Sequence, residues 1–421
     1  MNINEMLKGI DCACGRHHSC DIKYVYVEKN AVAHLREICA DYKSILIVAD
    51  ENTYGVAGKN TERYVEGKVS DRVIFTGKTV LIPNEDAIEA VYAKLEGIDL
   101  IIGIGSGVIQ DLCKYVSFKK KIPYYVVATA PSMDGYASSG AAMITGGMKV
   151  TYSAKVPDAL LADTEIIKDA PMDMIQAGYG DIIGKYSALN DWKLGACVNG
   201  EYFCQYIYDL TFAMLKKVEP MAKDLLNRDE ESVKTLMEAL ILVGIAMSFA
   251  GSSRPASGSE HHLSHYFEIT GIVDNMPYLA HGIDVVYSTV ITSRIREKIK
   301  NAAFPKVQFQ LDGDTYKAEL ARTYKSVAQG CMDLQEKLGT YKQDRISIYN
   351  EKEDEIKAIL SEVPTGAEIE KILSDIGLDL KELYNTYGNE KIRDAVRYAK
   401  DLKDRYTVLW MYYDMFGLEE V

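Results

Sequence analysis

Three segments, far apart in the chain, carry residues that could bind a catalytic metal. They are Gly178-Tyr179-Gly180-Asp181, the histidine-rich segment 257–265, and the pair His281-Gly282. One carboxylate and at least two imidazoles suit a single divalent ion that keeps a position open for catalysis. A structural zinc site usually draws on close pairs of cysteines and histidines instead. The spacing therefore predicts a catalytic metal, assembled from distant elements of a folded helical domain.

A glycine-rich segment could bind a dinucleotide. Residues 99–102 lead into Gly103-Ile104-Gly105-Ser106-Gly107, and the segment, which extends to Asp111, is predicted to open a helix through Leu112, Cys113 and Lys114. Glycines after a buried strand let backbone N–H groups approach a pyrophosphate, and a helix N-terminus favours its negative charge. The segment lacks the Gly-x-Gly-x-x-Gly pattern of the Rossmann fingerprint, so a tight turn with close helix packing is an equal alternative.

Two further strand ends extend the predicted cofactor site. Asp50 ends an earlier strand, where it could accept a hydrogen bond from a ribose 2′-hydroxyl. This contact favours NAD as the cofactor, with NADP still possible. The alternative is a turn residue, since aspartates are also common in turns. The segment 129–140 follows another strand and is rich in hydroxyls and glycine. Because ligands bind outside the carboxyl ends of parallel strands, we expect its residues to line the cofactor or substrate site. An Asp-Gly turn or a helix cap is the alternative. The predicted cofactor contacts are Asp50, Gly105, Ser106, Gly107, Asp111, Thr129, Ser132 and Ser138.

Two kinds of secondary structure must position these groups. Up to about residue 165, apolar runs such as 44–50 and 123–129 alternate with helical stretches. Runs that are apolar on both faces and separated by helices predict parallel strands in a covered sheet. Farther on the pattern is helical, with helices predicted over 174–194 and 231–250, the second ended by Gly251. We expect an α/β, Rossmann-like N-terminal domain over residues 1–170 and an all-α C-terminal domain over residues 171–421.

Composition limits the classes of function. The chain has 421 residues, 48% of them hydrophobic, and a formal net charge of -13, which argues against sequence-independent nucleic-acid binding. The apolar run 239–250 is shorter than the roughly 20 residues that span a bilayer, and the first residues contain no apolar signal core. Eight scattered cysteines are typical of reduced thiols. A cytoplasmic protein without membrane insertion is expected.

One cluster of cysteines stands out in the segment 12–20. It holds Cys12, Cys14, His17, His18 and Cys20. These are soft ligands, but the Cys-x-Cys pair is tighter than the usual zinc spacing and no second Cys/His pair follows nearby. A turn that leads into a strand over 22–27 is therefore the favoured interpretation, and a metal or redox role is the less favoured one.

Taken together, these motifs resemble a known superfamily in order and approximate spacing. The segments 103–111, 132–138, 180–181, 257–265 and 281–282 are similar to those of the metal-dependent, iron-type alcohol dehydrogenases, whose fold is dehydroquinate synthase-like. More narrowly, Lys185-Tyr186 and the string 253–261 resemble the sn-glycerol-1-phosphate dehydrogenase family. The resemblance covers nearly the whole chain.

The resemblance implies an NAD(P)H-dependent reduction of dihydroxyacetone phosphate to sn-glycerol 1-phosphate by hydride transfer. It implies that the N-terminal domain binds the nicotinamide dinucleotide and that the helical domain binds metal and substrate. The implied metal ligands are Asp181, His261 and His281, with His262 less favoured than His261. Lys185 stands where the iron-type enzymes have another histidine, which favours zinc or nickel over iron.

The substrate site is expected around this metal. The implied catalytic residues are Asp134, Lys185 and His265, and the implied substrate contacts are Asp134, Asp181, Lys185, Arg254 and His265. Lys185 and Arg254 are the cations nearest the metal motifs and are expected to hold the phosphate of a small triose, although both could be surface or salt-bridged residues. A homodimer is the default assembly.

Three alternatives stay open. The first is a glycerol or other polyol dehydrogenase of the same superfamily, which acts on an unphosphorylated substrate. The second, less favoured, is a sugar-phosphate cyclase that resembles dehydroquinate synthase; its metal carboxylate is a glutamate, whereas this chain offers Asp181. The third is a catalytically inactive binding module, which the intact ligand set disfavours.

Overall fold

A parallel sheet of six strands organises the first half of the chain. The computed structural model describes residues 3–78, 81–146 and 148–419. The strands are β1 (Ile10–Asp11), β2 (His17–His18), β3 (Tyr24–Glu28), β4 (Ile45–Asp50), β5 (Val69–Phe75), β6 (Leu100–Gly105), β7 (Tyr124–Ala128), β8 (Gly140–Thr145), β9 (Met148–Ser153) and β10 (Ala159–Asp163). The sheet order is β3-β10-β7-β6-β4-β5, and all neighbours in it are parallel. β1 with β2 and β8 with β9 form separate antiparallel pairs.

The central strands are buried on both faces. Every residue of β6, β7 and β10 is buried, and α6 (Gly107–Lys120) packs against β6. Continuous burial of this kind is typical of a parallel sheet covered by helices, which explains why the strands read as unbroken apolar runs rather than as alternating ones. The predicted α/β class is confirmed.

The strand order reverses between β4 and β6. β4 continues to β5 on one side, whereas β6 continues to β7 and β10 on the other. Ala49 of β4 pairs with Ile104 of β6, and Gly105 pairs with Ala128 of β7. Asp50, Gly105 and Thr129 therefore lie at the carboxyl edge of three neighbouring strands, at the kind of switch point where α/β sheets bind their ligands.

Beyond β10, the described residues form helices joined by loops, with no strand among them. The helices are α1 (Ile3–Met6), α2 (Leu35–Ile38), α3 (Glu51–Thr53), α4 (Lys59–Tyr64), α5 (Glu85–Tyr92), α6 as above, α7 (Thr164–Ile167), α8 (Met172–Ile183), α9 (Lys185–Asn199), α10 (Gln205–Val218), α11 (Ala222–Leu226), α12 (Glu230–Ala250), α13 (Ser259–Asp274), α14 (His281–Asn301), α15 (Gly313–Tyr324), α16 (Ala328–Leu338), α17 (Ile346–Glu351), α18 (Glu353–Leu360), α19 (Gly366–Asp375), α20 (Lys381–Tyr398) and α21 (Val408–Phe416). The predicted all-α C-terminal region is confirmed. The helix predicted over 174–194 is two helices, α8 and α9, which separate at Gly184, a residue of low helix propensity.

Packing divides the chain into two compact units. The first comprises Met1–Ile182 and Lys216–Ser252, and the second comprises Ile183–Leu215 and Ser253–Val421. The predicted boundary at residues 170/171 therefore differs from the packing units, because 171–182 and 216–252 belong with the sheet. One boundary in the sequence cannot separate the two units, because the segment 216–252 returns to the first unit.

α12 is the long apolar helix of the first unit. By length and composition it could cross a membrane, but 78% of its most apolar 18-residue stretch is buried within the protein. It packs against β2, β3, α7 and the 3-10 turn at 134–137. At Gly244 an added Cβ would lie only 2.8 Å from the Cβ of Ala137. The apolar run at 239–250 is thus explained by packing inside the protein.

Candidate metal and cofactor site

Asp181, His261 and His281 come together in the structure. Each offers one ligand atom, and these three atoms lie within 4.8 Å of one another. Asp181 stands in the last turn of α8, His261 in the first turn of α13, and His281 is the first residue of α14. The ring centroids of the two histidines are 5.1 Å apart. One carboxylate oxygen and two imidazole nitrogens form a donor set that suits zinc or nickel and leaves a coordination position for substrate.

The glycines before Asp181 let α8 approach the 131–134 loop. The fully buried carboxylate of Asp181 accepts a hydrogen bond from the backbone N–H of Asp134 at 2.9 Å. One turn earlier, a Cβ at Gly178 would lie 1.8 Å from the carbonyl oxygen of Pro131. Only glycine permits this approach of helix to loop. The arrangement fixes one oxygen of the candidate ligand and brings Asp134 beside it.

Glu260 holds His261 in an orientation that suits metal binding. Its Oε1 accepts hydrogen bonds from His261 Nδ1 at 2.6 Å and from the Gly258 backbone N–H at 2.8 Å. A carboxylate at Nδ1 leaves Nε2 as the ligand atom and increases its basicity. Glu260 is fully buried, and burial raises the pKa of its carboxyl. The sequence analysis missed this residue, although its position next to His261 could have indicated it.

A buried ion pair supports the start of α13. Asp191 Oδ1 lies 2.9 Å from the guanidinium of Arg296, and Asp191 Oδ2 accepts a hydrogen bond from the Ser259 backbone N–H at 2.6 Å. Arg296 also donates to Asn190 Oδ1 at 2.9 Å. Both charges are almost completely buried, and each has several hydrogen-bond partners, as buried charges require. The pair links α9 and α14 to the helix that carries His261, and the sequence analysis did not identify it.

The other two histidines of α13 behave differently from His261. The ring of His265 lies 6.0 Å from His261 and 5.6 Å from His281, centroid to centroid, so it borders both candidate ligand histidines. His262 is fully buried, and its ring nitrogens have no hydrogen-bond partner within the described residues. Burial, together with nearby Lys403, Arg405 and Arg254, lowers the pKa of His262 well below its usual value. His262 therefore stays neutral and lies outside the candidate ligand group.

Both cations predicted to hold a phosphate are buried. The ammonium of Lys185 donates to the carbonyl oxygen of Ala256 at 3.0 Å. Arg254 pairs with the carboxylate of Glu201 and donates to the carbonyl oxygen of Tyr406 at 2.8 Å. Arg254 is therefore salt-bridged in this structure, which is the alternative to phosphate binding that the sequence left open. Phosphate binding by Lys185 stays a prediction.

At the sheet edge, the glycine loop has a packing role as well as a position suited to a cofactor. A Cβ at Gly103 would lie 2.9 Å from Cys113 Sγ, and one at Gly105 would lie 2.8 Å from the side chain of Ile109. Close packing against α6 therefore accounts for these two glycines. Gly107 begins α6 after Ser106, which is its N-cap. Asp50 caps α3 by accepting hydrogen bonds from the backbone N–H groups of residues 52 and 53.

A buried lysine ties the second predicted loop to α6. Lys114 donates to the carbonyl oxygens of Gly135 at 2.9 Å and Gly140 at 2.8 Å, and it lies 3.4 Å from Asp111 and 3.5 Å from Ser138 Oγ. Burial lowers the pKa of Lys114. Three other predicted residues lie in the loop that it holds: Thr129 and Asp134, which are buried, and Ser132, which is half-buried.

Comparison with known proteins gives the family. The model of the "iron-containing alcohol dehydrogenase" family matches residues 26–171. A glycerol-1-phosphate dehydrogenase [NAD(P)+] of Geobacillus thermodenitrificans is 31% identical over 379 residues, which cover 86% of each chain. The chain belongs to the glycerol-1-phosphate dehydrogenase family. An enzyme of the same name from Halalkalibacterium halodurans is 29% identical over 95% of this chain and 94% of its own.

Solved structures agree on the fold. An archaeal halo-thermophilic alcohol dehydrogenase from a Red Sea brine pool superposes with a TM-score of 0.61 at 14% identity, over 94% of this chain and 96% of its own. At that identity the likeness concerns the fold alone. The predicted family and the predicted fold class are confirmed.

Proposed function

We propose that this protein is a metal-dependent NAD(P)H oxidoreductase that reduces dihydroxyacetone phosphate to sn-glycerol 1-phosphate. The observation that carries the proposal is the group formed by Asp181, His261 and His281, in a chain whose relatives are named glycerol-1-phosphate dehydrogenase [NAD(P)+]. We further propose a cytoplasmic homodimer. The described cysteines form no disulfides, which agrees with a reducing compartment.

When bound, a zinc or nickel ion would supply Lewis acidity at the substrate's carbonyl oxygen. The chain's own residues keep the ligands in place: Glu260 fixes the ring of His261, and the Asp134 backbone fixes Asp181. We assign proton transfer at the substrate oxygen to His265, the partly exposed imidazole that borders the two ligand histidines. The Asp134 side chain is proposed to hold a substrate hydroxyl.

The nicotinamide dinucleotide is proposed to bind at the carboxyl edge of β4, β6 and β7. The start of α6 at Gly107 supplies backbone N–H groups for the pyrophosphate, with Ser106 beside them. Asp50 would accept a hydrogen bond from the ribose 2′-hydroxyl and repel a 2′-phosphate, which favours NAD. In this proposal residues 1–170 bind the dinucleotide, and residues 171–421 bind the metal and the substrate.

Lys185 is the proposed phosphate contact. Arg254 is the weaker candidate because its guanidinium already pairs with Glu201. A phosphate would have to compete with the Ala256 carbonyl for the Lys185 ammonium. This competition gives the polyol dehydrogenase alternative a specific basis, since a free polyol needs no phosphate contact.

One assay separates these possibilities. Chelated protein is reconstituted with zinc, nickel or iron. NAD(P)H oxidation is followed with dihydroxyacetone phosphate, and NAD(P)+ reduction is followed with glycerol. The proposal expects turnover of the phosphorylated substrate that returns with zinc or nickel. Equal activity on glycerol would favour the polyol dehydrogenase.

The matched variants lie on the same helix. Asp181→Ala should abolish metal-dependent turnover and spare dinucleotide binding, which fluorescence titration would measure. Asp173→Ala, at an exposed position of α8, should retain both. If Asp181→Ala kept its metal and its activity, the assignment of Asp181 as a ligand would be wrong.

A further inference from the structure

A second group of side chains that could hold a metal shares no residue with the candidate active site. Cys12, Cys14, His18 and Cys204 each offer one ligand atom, and these four atoms lie within 4.8 Å of one another. The sequence favoured a simple turn at 12–20 because no second Cys/His pair follows nearby. In the structure the fourth donor comes from residue 204, which local spacing cannot indicate.

A tight turn positions the first two sulfurs. It joins β1 and β2 and is closed by hydrogen bonds from the Cys12 N–H to the Arg16 carbonyl at 3.1 Å and from the Gly15 N–H to the Cys12 carbonyl at 3.0 Å. Gly15 has a φ of +84°, in the left-handed region that favours glycine. The backbone thus fixes Cys12 and Cys14 in the turn that precedes His18.

His18 is held as a ligand histidine would be. Its Nδ1 lies 2.9 Å from the carbonyl oxygen of Phe249, and its ring stacks on Phe249 with centroids 5.7 Å apart. Because a carbonyl only accepts, Nδ1 carries the proton and Nε2 has the lone pair. That Nε2 lies 3.3 Å from Cys14 Sγ, and His18 is only 1% exposed. An outer hydrogen bond that fixes the tautomer in this way is usual for metal-bound histidines.

We propose that Cys12, Cys14, His18 and Cys204 bind one zinc ion. Tetrahedral zinc with Zn–S bonds of about 2.3 Å and Zn–N bonds of about 2.0 Å has donor atoms about 3.5–3.8 Å apart, which fits within the 4.8 Å spread of these four atoms. Four protein donors fill the coordination sphere, so the site is structural and holds no substrate. Binding releases the thiol protons as the sulfurs become thiolates.

The site is tested spectroscopically on the full-length, reduced, metal-free protein. Titration with cobalt should produce thiolate-to-cobalt charge-transfer absorption, to which the group of Asp181, His261 and His281 cannot contribute because it contains no sulfur. Cys14→Ser should remove most of this absorption. The matched control is Cys20→Ser, whose buried thiol lies outside the four-donor group, and it should retain the signal. Absence of the charge-transfer bands in the wild type, or an unchanged signal in Cys14→Ser, would overturn the proposal.

A second measurement does not depend on how the cysteine variants fold. The Asp181→Ala protein, loaded with zinc, should hold one equivalent per chain, and X-ray absorption should give sulfur neighbours at about 2.3 Å. Only nitrogen and oxygen neighbours, or a Cys12–Cys14 disulfide in place of zinc, would refute the site. Neither experiment uses turnover, and the group of Asp181, His261 and His281 contains no sulfur, so the sulfur signals test this site separately from the proposed function.

Discussion

Gly178→Ala is the substitution for which the structure gives the clearest quantitative expectation. The new Cβ would lie 1.8 Å from the Pro131 carbonyl oxygen, 2.8 Å from its carbon and 3.2 Å from Leu240 Cδ1. The first distance is about 1.5 Å shorter than an ordinary contact. The obstacle is backbone and cannot rotate away as a flexible side chain would, so α8 and the 131–134 loop must separate.

The cost follows from two opposing effects. Overpacking typically costs about 1–3 kcal/mol, and occasionally more, whereas alanine gains about 1 kcal/mol over glycine inside a helix. Since a backbone clash belongs at the upper end of that range, we expect a net loss of about 2 kcal/mol or more in the free energy of unfolding. Asp181 stands one turn farther along α8, so its displacement should also weaken metal binding.

Urea unfolding measures the first effect and competition with a chelator measures the second. The matched control is Gly330→Ala in α16, where an added Cβ would meet no atom within 4 Å; it should be neutral or stabilising by up to about 1 kcal/mol and should bind metal normally. A Gly178→Ala protein with wild-type stability and wild-type metal affinity would refute the proposed contact of α8 with the loop.

Three further substitutions test other parts of the molecule. Glu260→Gln removes the charge that faces His261 and should weaken metal binding by about 10–100-fold, measured by chelator competition; unchanged affinity would exclude this role for Glu260. At Asp158 burial alone would raise the carboxyl pKa, but hydrogen bonds from two lysines outweigh burial and the pKa is lowered. A carboxyl group whose pKa is lower in the folded than in the unfolded protein stabilises the fold at pH values above its unfolded-state pKa. This stabilisation is lost as the pH falls through the folded-state pKa. Asp158→Asn should therefore lower the unfolding free energy by about 1 kcal/mol at neutral pH and by less in acid, in urea unfolding followed against pH; a pH-independent difference would contradict the linkage. Asp50→Asn should raise kcat/KM with NADPH relative to NADH, and an unchanged ratio would place the ribose elsewhere.

The sequence predicted the sheet well because the signal is local. The apolar runs at 44–50, 99–103 and 123–129 correspond to β4, β6 and β7, and each run is readable without knowledge of its neighbours. The candidate ligands Asp181, His261 and His281 were found through resemblance, since spacing alone only indicated that distant elements share a metal.

What the sequence did not reveal is contact between residues far apart in the chain. Asp191 and Arg296 pair across more than a hundred positions, and neither residue stands in a motif that marks it as buried. The same limitation concealed the contribution of Cys204 to the donor group at 12–18. The return of 216–252 to the first unit is also a matter of packing, and no change in composition marks it.

The position of α12 in the chain has a consequence for protein synthesis. Among the described residues of its own unit, its principal contacts are with β2, β3, the 134–137 turn, α7 and α11, all of which precede it. Domains fold from the N-terminus as the ribosome extends the chain, so the partners of this 21-residue apolar helix already exist when it emerges. By contrast, Asp191 accepts a hydrogen bond from the Val408 N–H, 217 residues later. This long apolar helix can therefore dock during translation, whereas the support around Asp191 is completed only near the end of synthesis.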